Sequence, residues 1–306
     1  MIITDGILLI DKPGSYTSFD VVARARGMLH TKKIGHAGTL DPMATGVLPL
    51  FIGRATKCCD ILPCQDKRYL ATFKLGIATD TQDITGSVTA THEVTVGKAD
   101  VQNALNNFRG AIQQMPPMYS AVQVDGKRLY DLARQGIEIE RKKRDITIYS
   151  IDLVEADEQQ HSYTIDVHCS KGTYIRTICH DLGQLLGCGA TLTQLRRTMA
   201  AGFNLEDCIP LEEANRLSKV NMLWDKLIPV ENAFKSLPQI IINSKQTAMF
   251  KNGVRLDIKR VEIPKQLSNR YRVLTVEGDF LGIAHIDNEQ ELLICDKLFM
   301  MEENKK

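Results

Sequence analysis

No apolar run in this 306-residue chain approaches the roughly 20 residues that a transmembrane helix needs. The start, Met1-Ile2-Ile3-Thr4-Asp5-Gly6, lacks the basic region and cleavage site of a secretory signal, so a cytoplasmic protein without a membrane partner is expected. The eight cysteines form no C-x-x-C pair and have no H-x-x-x-H companion. That pattern points away from a zinc site and a disulfide framework and toward reduced thiols and no metal. A strong charge of either sign is also missing. With a net charge of +1, the chain cannot grip a polyanion by bulk electrostatics, and any such contact must be local. The basic candidates are Arg141-Lys142-Lys143-Arg144, Lys127 with Arg128, and Arg196 with Arg197, each of which reads by default as a solvated face.

What is present suffices for a folded protein: 43% hydrophobic residues over this length support one large domain plus a small one. Gly6-Ile7-Leu8-Leu9-Ile10 reads as a strand stopped by Asp11-Lys12-Pro13-Gly14. Thr17 and Asp20 then make a capping pattern for a helix with Val21, Val22, Ala25, Met28 and Leu29 at helical spacing. Residues 69–75 alternate as a strand and look paired with 88–94 across a polar turn, in which Asp80 and Asp83 read as solvated. Helical spacing at Val101, Leu105 and Phe108, a helix near 129–134, strands near 146–154 and 163–169, and a helix over 174–186 follow. Strands and helices cluster rather than alternate strictly, so the expected class is α+β. The expected domains are 1–232 and a small β-rich 237–306.

One segment stands apart. In Gly35-His36-Ala37-Gly38-Thr39-Leu40-Asp41-Pro42-Met43-Ala44-Thr45-Gly46-Val47-Leu48, turn-forming residues surround a single carboxylate. Pro42 pushes Asp41 out of the helical region, and the glycines allow positive φ and close approach by another chain. Loop chemistry alone leaves two readings open: a turn cap, or a carboxylate displayed for chemistry.

Taken whole, the segment resembles the first signature of the bacterial tRNA pseudouridine-55 synthase family. Asp66-Lys67-Arg68-Tyr69, Met118-Tyr119-Ser120-Ala121 with Gly126-Lys127, and Cys169-Ser170-Lys171-Gly172-Thr173-Tyr174-Ile175-Arg176-Thr177 match the same family in order. So do Gly53-Arg54-Ala55-Thr56-Lys57 and Leu195-Arg196-Arg197, which extends the resemblance over most of 6–200. It implies a large, mixed, mainly antiparallel sheet flanked by helices, with a PUA-like RNA-binding domain at the C-terminal end. It also implies that Asp41 is catalytic, Tyr69 packs on the target uracil, Tyr174 lies beside it and Arg176 pairs with Asp41. His36 would fill the space of a flipped base, Leu195 would join the substrate-binding set, and Lys57, like Lys12 and Lys127, stands near a turn that a phosphate could approach.

The implied reaction turns uridine into pseudouridine in the T loop of tRNA: the N1–C1′ bond breaks, the uracil rotates, and C5 takes the place of N1. Nothing is added or lost, so no cofactor is expected. One carboxylate can serve, by attacking C1′ or by removing the C2′ proton. The expected partner is the tRNA T stem-loop, and the expected state is a monomer. Two rival readings are an RNA-guided ribosomal pseudouridine synthase and a tRNA-folding factor for which modification is secondary.

Overall fold

Alternation in the Lys67–Leu75 strand puts Tyr69, Ala71, Phe73 and Leu75 on one buried face, while Arg68 and Leu70 face outward. That strand lies near the middle of a ten-stranded sheet in the computed structural model, which describes residues 5–120, 122–124 and 126–300. Ala121, the first four residues and the side chain of Arg128, all used in the sequence reading, lie outside the described residues. The sheet runs Ile209–Pro210, Gly6–Lys12, Thr45–Ile52, Ala190–Ala200, Lys67–Leu75, Ser162–Cys169, Arg144–Asp157, Gly110–Gln114. Ile34–His36 and Phe203–Asn204 attach to the side of this order. Two of the pairings are parallel, Gly6–Lys12 with Ile209–Pro210 and Thr45–Ile52 with Ala190–Ala200, and the rest are antiparallel. The architecture is therefore α+β with a mixed sheet.

Helices cover the sheet through separate cores. Ile175–Leu185 and Lys98–Ala104 supply Ile175, Ile178, Leu182 and Val101 to a cluster with Tyr69, Phe73, Ile165 and Leu195. Ser18–Met28 and Leu211–Lys219 close a second cluster over Leu8, Ile10, Leu48 and Leu50. The capping pattern forms as expected: the Asp20 amide donates to Thr17 Oγ1 at 3.0 Å, and the Thr17 amide donates back to Asp20 Oδ2 at 2.8 Å.

The expected pairing of 69–75 with 88–94 does not occur. Gly76, at φ +90°, ends the first strand, and Val88–Thr91 pairs with a short intervening strand, Ile77–Thr79. The Lys67–Leu75 strand instead bonds to Ser162–Cys169 and Ala190–Ala200, partners that local spacing does not reveal.

A second sheet of five strands occupies 239–298, in the order Gln239–Ile242, Tyr271–Thr275, Phe280–Asp287, Leu292–Leu298, Leu256–Asp257. It has its own core around Ile240, Phe250, Tyr271 and Leu293. A further apolar cluster joins it to the large sheet: Phe234 stacks near Phe280 and Phe299, with centroids 6.2 and 6.0 Å away, and packs with Ile7, Phe51 and Ile283.

Candidate active site

The 37–44 segment crosses between the Ile34–His36 and Thr45–Ile52 strands, and buried polar groups pin it at four points. Ser18 Oγ accepts from the Leu40 amide at 2.8 Å and donates to the Leu40 carbonyl at 3.3 Å. Lys12 Nζ donates to the carbonyls of Pro13, Tyr16 and Pro42, at 2.8, 2.6 and 3.3 Å. Arg197 donates from Nε to the Val47 carbonyl at 2.8 Å and from Nη2 to the Gly38 carbonyl at 3.1 Å. Gly46 lets the Arg197 backbone pack against the Thr45–Ile52 strand. Its φ is +102°, and a β-carbon there would stand 2.1 Å from the Arg197 carbonyl oxygen.

These contacts correct two readings. Lys12 is wholly buried rather than open to a phosphate, Arg197 is wholly buried rather than on a solvated face, and burial pulls the Lys12 ammonium down to about 8. Lys12 gives its donors to three backbone carbonyls, and Arg197 gives Nε and Nη2 to two more. Arg196 stays nearer the surface, paired with Asp11 at 2.7 Å.

Asp41 emerges at the centre of the pinned loop with its side chain 36% exposed, facing Arg176, which is 5% exposed. Arg176 Nε lies 3.0 Å from Asp41 Oδ2, and Nη2 lies 3.3 Å from Oδ1, a two-point grip on the carboxylate. The remaining donors reach the carbonyls of Thr81 and Tyr119, at 3.1 and 2.8 Å, and Asp83 Oδ2 at 3.5 Å. Asp83, read from sequence as a solvated turn residue, is the site residue that reading missed. Its side chain is 6% exposed, and Oδ1 accepts from the Thr85 amide and the Thr81 hydroxyl.

Burial pushes the Asp41 carboxyl above the ordinary carboxylate range; Arg176 pulls it back, Asp83 pushes it up further, and Lys12 pulls it down. Asp41 and Asp83 therefore compete for one guanidinium.

The other expected residues fall in four places. Tyr69 and Leu195 are buried in one apolar cluster with Leu40 and Ala44, the floor beside Asp41. Burial pushes the Tyr69 phenol up to about 12, against the pull of the nearby Arg197 charge. Tyr174, directly before the Ile175–Leu185 helix, is fixed by Gln114. Its amide donates to Gln114 Oε1 at 2.8 Å and its carbonyl accepts from Nε2 at 3.0 Å. His36 is half-buried on the same loop, and burial, then Arg197, lowers its pKa and favours the neutral ring. Lys57 is not brought to the site: its Nζ donates to the Leu298 carbonyl at 3.3 Å, in the smaller sheet.

Among the described residues no group of three or more His, Cys, Asp or Glu could hold a metal, and no helix is long and apolar enough to cross a membrane.

Residues 26–175 match the family model for the N-terminal domain of TruB family pseudouridylate synthases, and 176–235 match the model for the C-terminal domain of tRNA pseudouridylate synthase B. The tRNA pseudouridine synthase B of Clostridium kluyveri is 46% identical over 281 residues, covering 92% of this chain and 95% of that one. The chain belongs to the TruB family of pseudouridylate synthases.

The protein of the same name from Haemophilus influenzae strain PittEE is 42% identical over 288 residues, with 92% of each chain covered. Among solved structures, a Cbf5-Nop10-Gar1 complex aligns with a TM-score of 0.76 at 25% identity, over 98% of this chain and 86% of that one. An H/ACA RNP bound to a substrate RNA containing 2′-deoxyuridine aligns with a TM-score of 0.74 at 23% identity, over 98% of this chain and 87% of that one, a likeness of fold.

If the reaction runs through ionised Asp41, Asp83 contributes to the position of the acid limb. Removing its charge lowers the Asp41 pKa, because Asp83 pushes it up. Asp83→Asn is therefore expected to shift the acid limb of the single-turnover rate to lower pH. Asparagine keeps an oxygen for Arg176, so the plateau changes less than the limb does. A pH–rate profile of both proteins checks this.

Proposed function

We propose that this tRNA pseudouridine synthase isomerises the uridine at position 55 in the T loop of tRNA, with Asp41 as the group that acts on the ribose. The observation that carries the reading is the grip of Arg176 on Asp41, at 3.0 and 3.3 Å, next to a buried cluster that includes Leu40, Ala44, Tyr69 and Leu195. The guanidinium orients this carboxylate and favours its ionised form against the burial that opposes it. The carboxylate can attack C1′ or take the C2′ proton while the uracil turns, after which C5 bonds to C1′ and the proton on C5 is lost as N1 gains one. Glycoside hydrolysis would need a second carboxyl aimed at an activated water. Asp83 does not meet that need, since it is buried behind Arg176.

Extracting the uridine from its stack costs a few kcal/mol, and one aromatic contact returns about 1 to 3 kcal/mol. Tyr69 and Tyr174 fill that role, and the flat neutral ring of His36 occupies the vacated space. The five-stranded sheet at 239–298 acts as the PUA-like RNA-binding unit, held at a fixed place by the Phe234 cluster. The isomerisation is redox-neutral and needs no cofactor. The protein is proposed to work as a cytoplasmic monomer without a guide RNA; the 46% identity to a tRNA pseudouridine synthase supports tRNA as its substrate. Incubation of the purified chain with one unmodified tRNA transcript, followed by mapping of pseudouridine, tests the reading. A single product at position 55 is expected; no product without added guide RNA would refute it.

A further inference from the structure

Lys12, Lys67, Arg176 and Arg197 surround the Asp41 loop, and two of them have their charge or donors fully engaged. Arg176 holds Asp41 and Asp83, and Lys12 holds three carbonyls. Lys67 and Arg197 differ. Asp66, the acid next to Lys67 in sequence, is turned toward Tyr149 and His168, at 3.2 and 3.8 Å. The Lys67 ammonium makes one hydrogen bond, to the Gln65 carbonyl at 2.9 Å. Arg197 is wholly buried beside the Tyr69 hydroxyl, yet its Nη1 meets no acceptor in hydrogen-bonding geometry among the described residues.

Both free ends converge on Gly38, three residues before Asp41. A β-carbon built on Gly38 would stand 3.5 Å from Arg197 Nη1, 3.8 Å from Lys67 Nζ and 3.0 Å from Lys67 Cε, and the φ of +90° also disfavours a side chain. Two cations held this close without a carboxylate between them repel one another: burial and then Arg197 lower the Lys67 pKa. An anion over Gly38 would relieve that repulsion and accept from the Lys67 ammonium.

We propose that Lys67 and Arg197 form a phosphodiester cradle over Gly38 that receives the RNA backbone phosphate beside the flipped uridine. This rests on the reading of Asp41 and Tyr69 given above. Lys67 lies two residues before Tyr69 on the same face of one strand, about 7 Å along it, which matches the spacing between a base and the phosphate of its own nucleotide. Lys67, half-buried, is the arm that touches the phosphate. Arg197 supplies charge from behind while its other nitrogens keep Gly38 and Val47 in place.

The test measures binding of an unmodified tRNA transcript across a salt series, with wild type, Lys67→Met and Lys67→Arg. Losing one phosphate contact is expected to flatten the plot of log K against log salt by about 0.7 to 0.9 and to weaken binding most at low salt. Lys67→Arg restores both. Lys67→Gln gives the same comparison should Lys67→Met fail to fold. An unchanged slope with unchanged affinity would overturn the cradle. A higher Tm of wild type, but not of Lys67→Met, in inorganic phosphate, with the tRNA slope unchanged, would reassign it to a free anion and overturn the RNA contact. Pseudouridine mapping on the same wild-type samples separates the two readings: a flattened slope without product at position 55 keeps the phosphate contact and rejects the proposed substrate.

Discussion

Asp41→Asn is expected to abolish pseudouridine formation, with a fall of about 10⁴-fold or more in the single-turnover rate, while tRNA affinity stays nearly unchanged. The size follows from the role. Asparagine can accept from Arg176 as the carboxylate does, so the loop and its four pins keep their geometry. What is lost is the negative charge and basicity at the one exposed carboxylate of the site, whether the step is attack on C1′ or removal of the C2′ proton. Affinity rests on phosphate and stacking contacts elsewhere and has no reason to fall. It can even rise slightly, because a negative charge near the RNA backbone has been removed. Single-turnover kinetics with a radiolabelled transcript, beside binding under the same conditions, checks both halves. Turnover within tenfold of wild type would remove Asp41 from the chemistry. The same pair of proteins decides whether tRNA folding is a separate benefit, since assistance by binding alone would survive in Asp41→Asn.

Much of this site was legible in the chain because its residues sit in contiguous, turn-rich words. The 35–48 segment announces a shaped loop through its glycines and Pro42, and Tyr69, Tyr174 and Arg176 lie in segments that share its resemblance. The helix cap at Thr17 and Asp20 was local and therefore readable. Asp83 was not, because a Thr-Gln-Asp turn looks solvated until a guanidinium arrives from 93 residues away. Lys12, Arg196 and Arg197 carried the same ambiguity. A cation whose partners are backbone carbonyls leaves no complementary acid in the sequence, so Lys12 and Arg197 read as surface residues although both are buried. The strand order failed for a related reason: the partners of Lys67–Leu75 come from 162–169 and 190–200, and periodicity within a window carries no trace of them.

Arg176→Met should damage stability and activity together, through two separable causes. At Asp83 the loss is structural, since its side chain is 6% exposed and would keep a charge without its cationic partner. Breaking a buried pair in this way costs about 3 to 5 kcal/mol, seen as a lower urea midpoint. At Asp41 the loss is functional. Burial and Asp83 already push its carboxyl up and Arg176 opposes them, so without the guanidinium the ionised form is reached only at higher pH. The acid limb of the rate therefore moves up, the reverse of its shift in Asp83→Asn. The double variant Arg176→Met/Asp83→Asn separates the causes. With the deeply buried Asp83 charge gone, it should recover most of the lost stability, yet Asp41 still lacks the two-point grip that fixes its oxygens, so the rate stays low even where Asp41 is ionised. Full recovery of rate along with stability would make Arg176 a residue of the fold alone. A rate that stays low in a protein of restored stability would place the Arg176 guanidinium in the chemistry through its hold on Asp41.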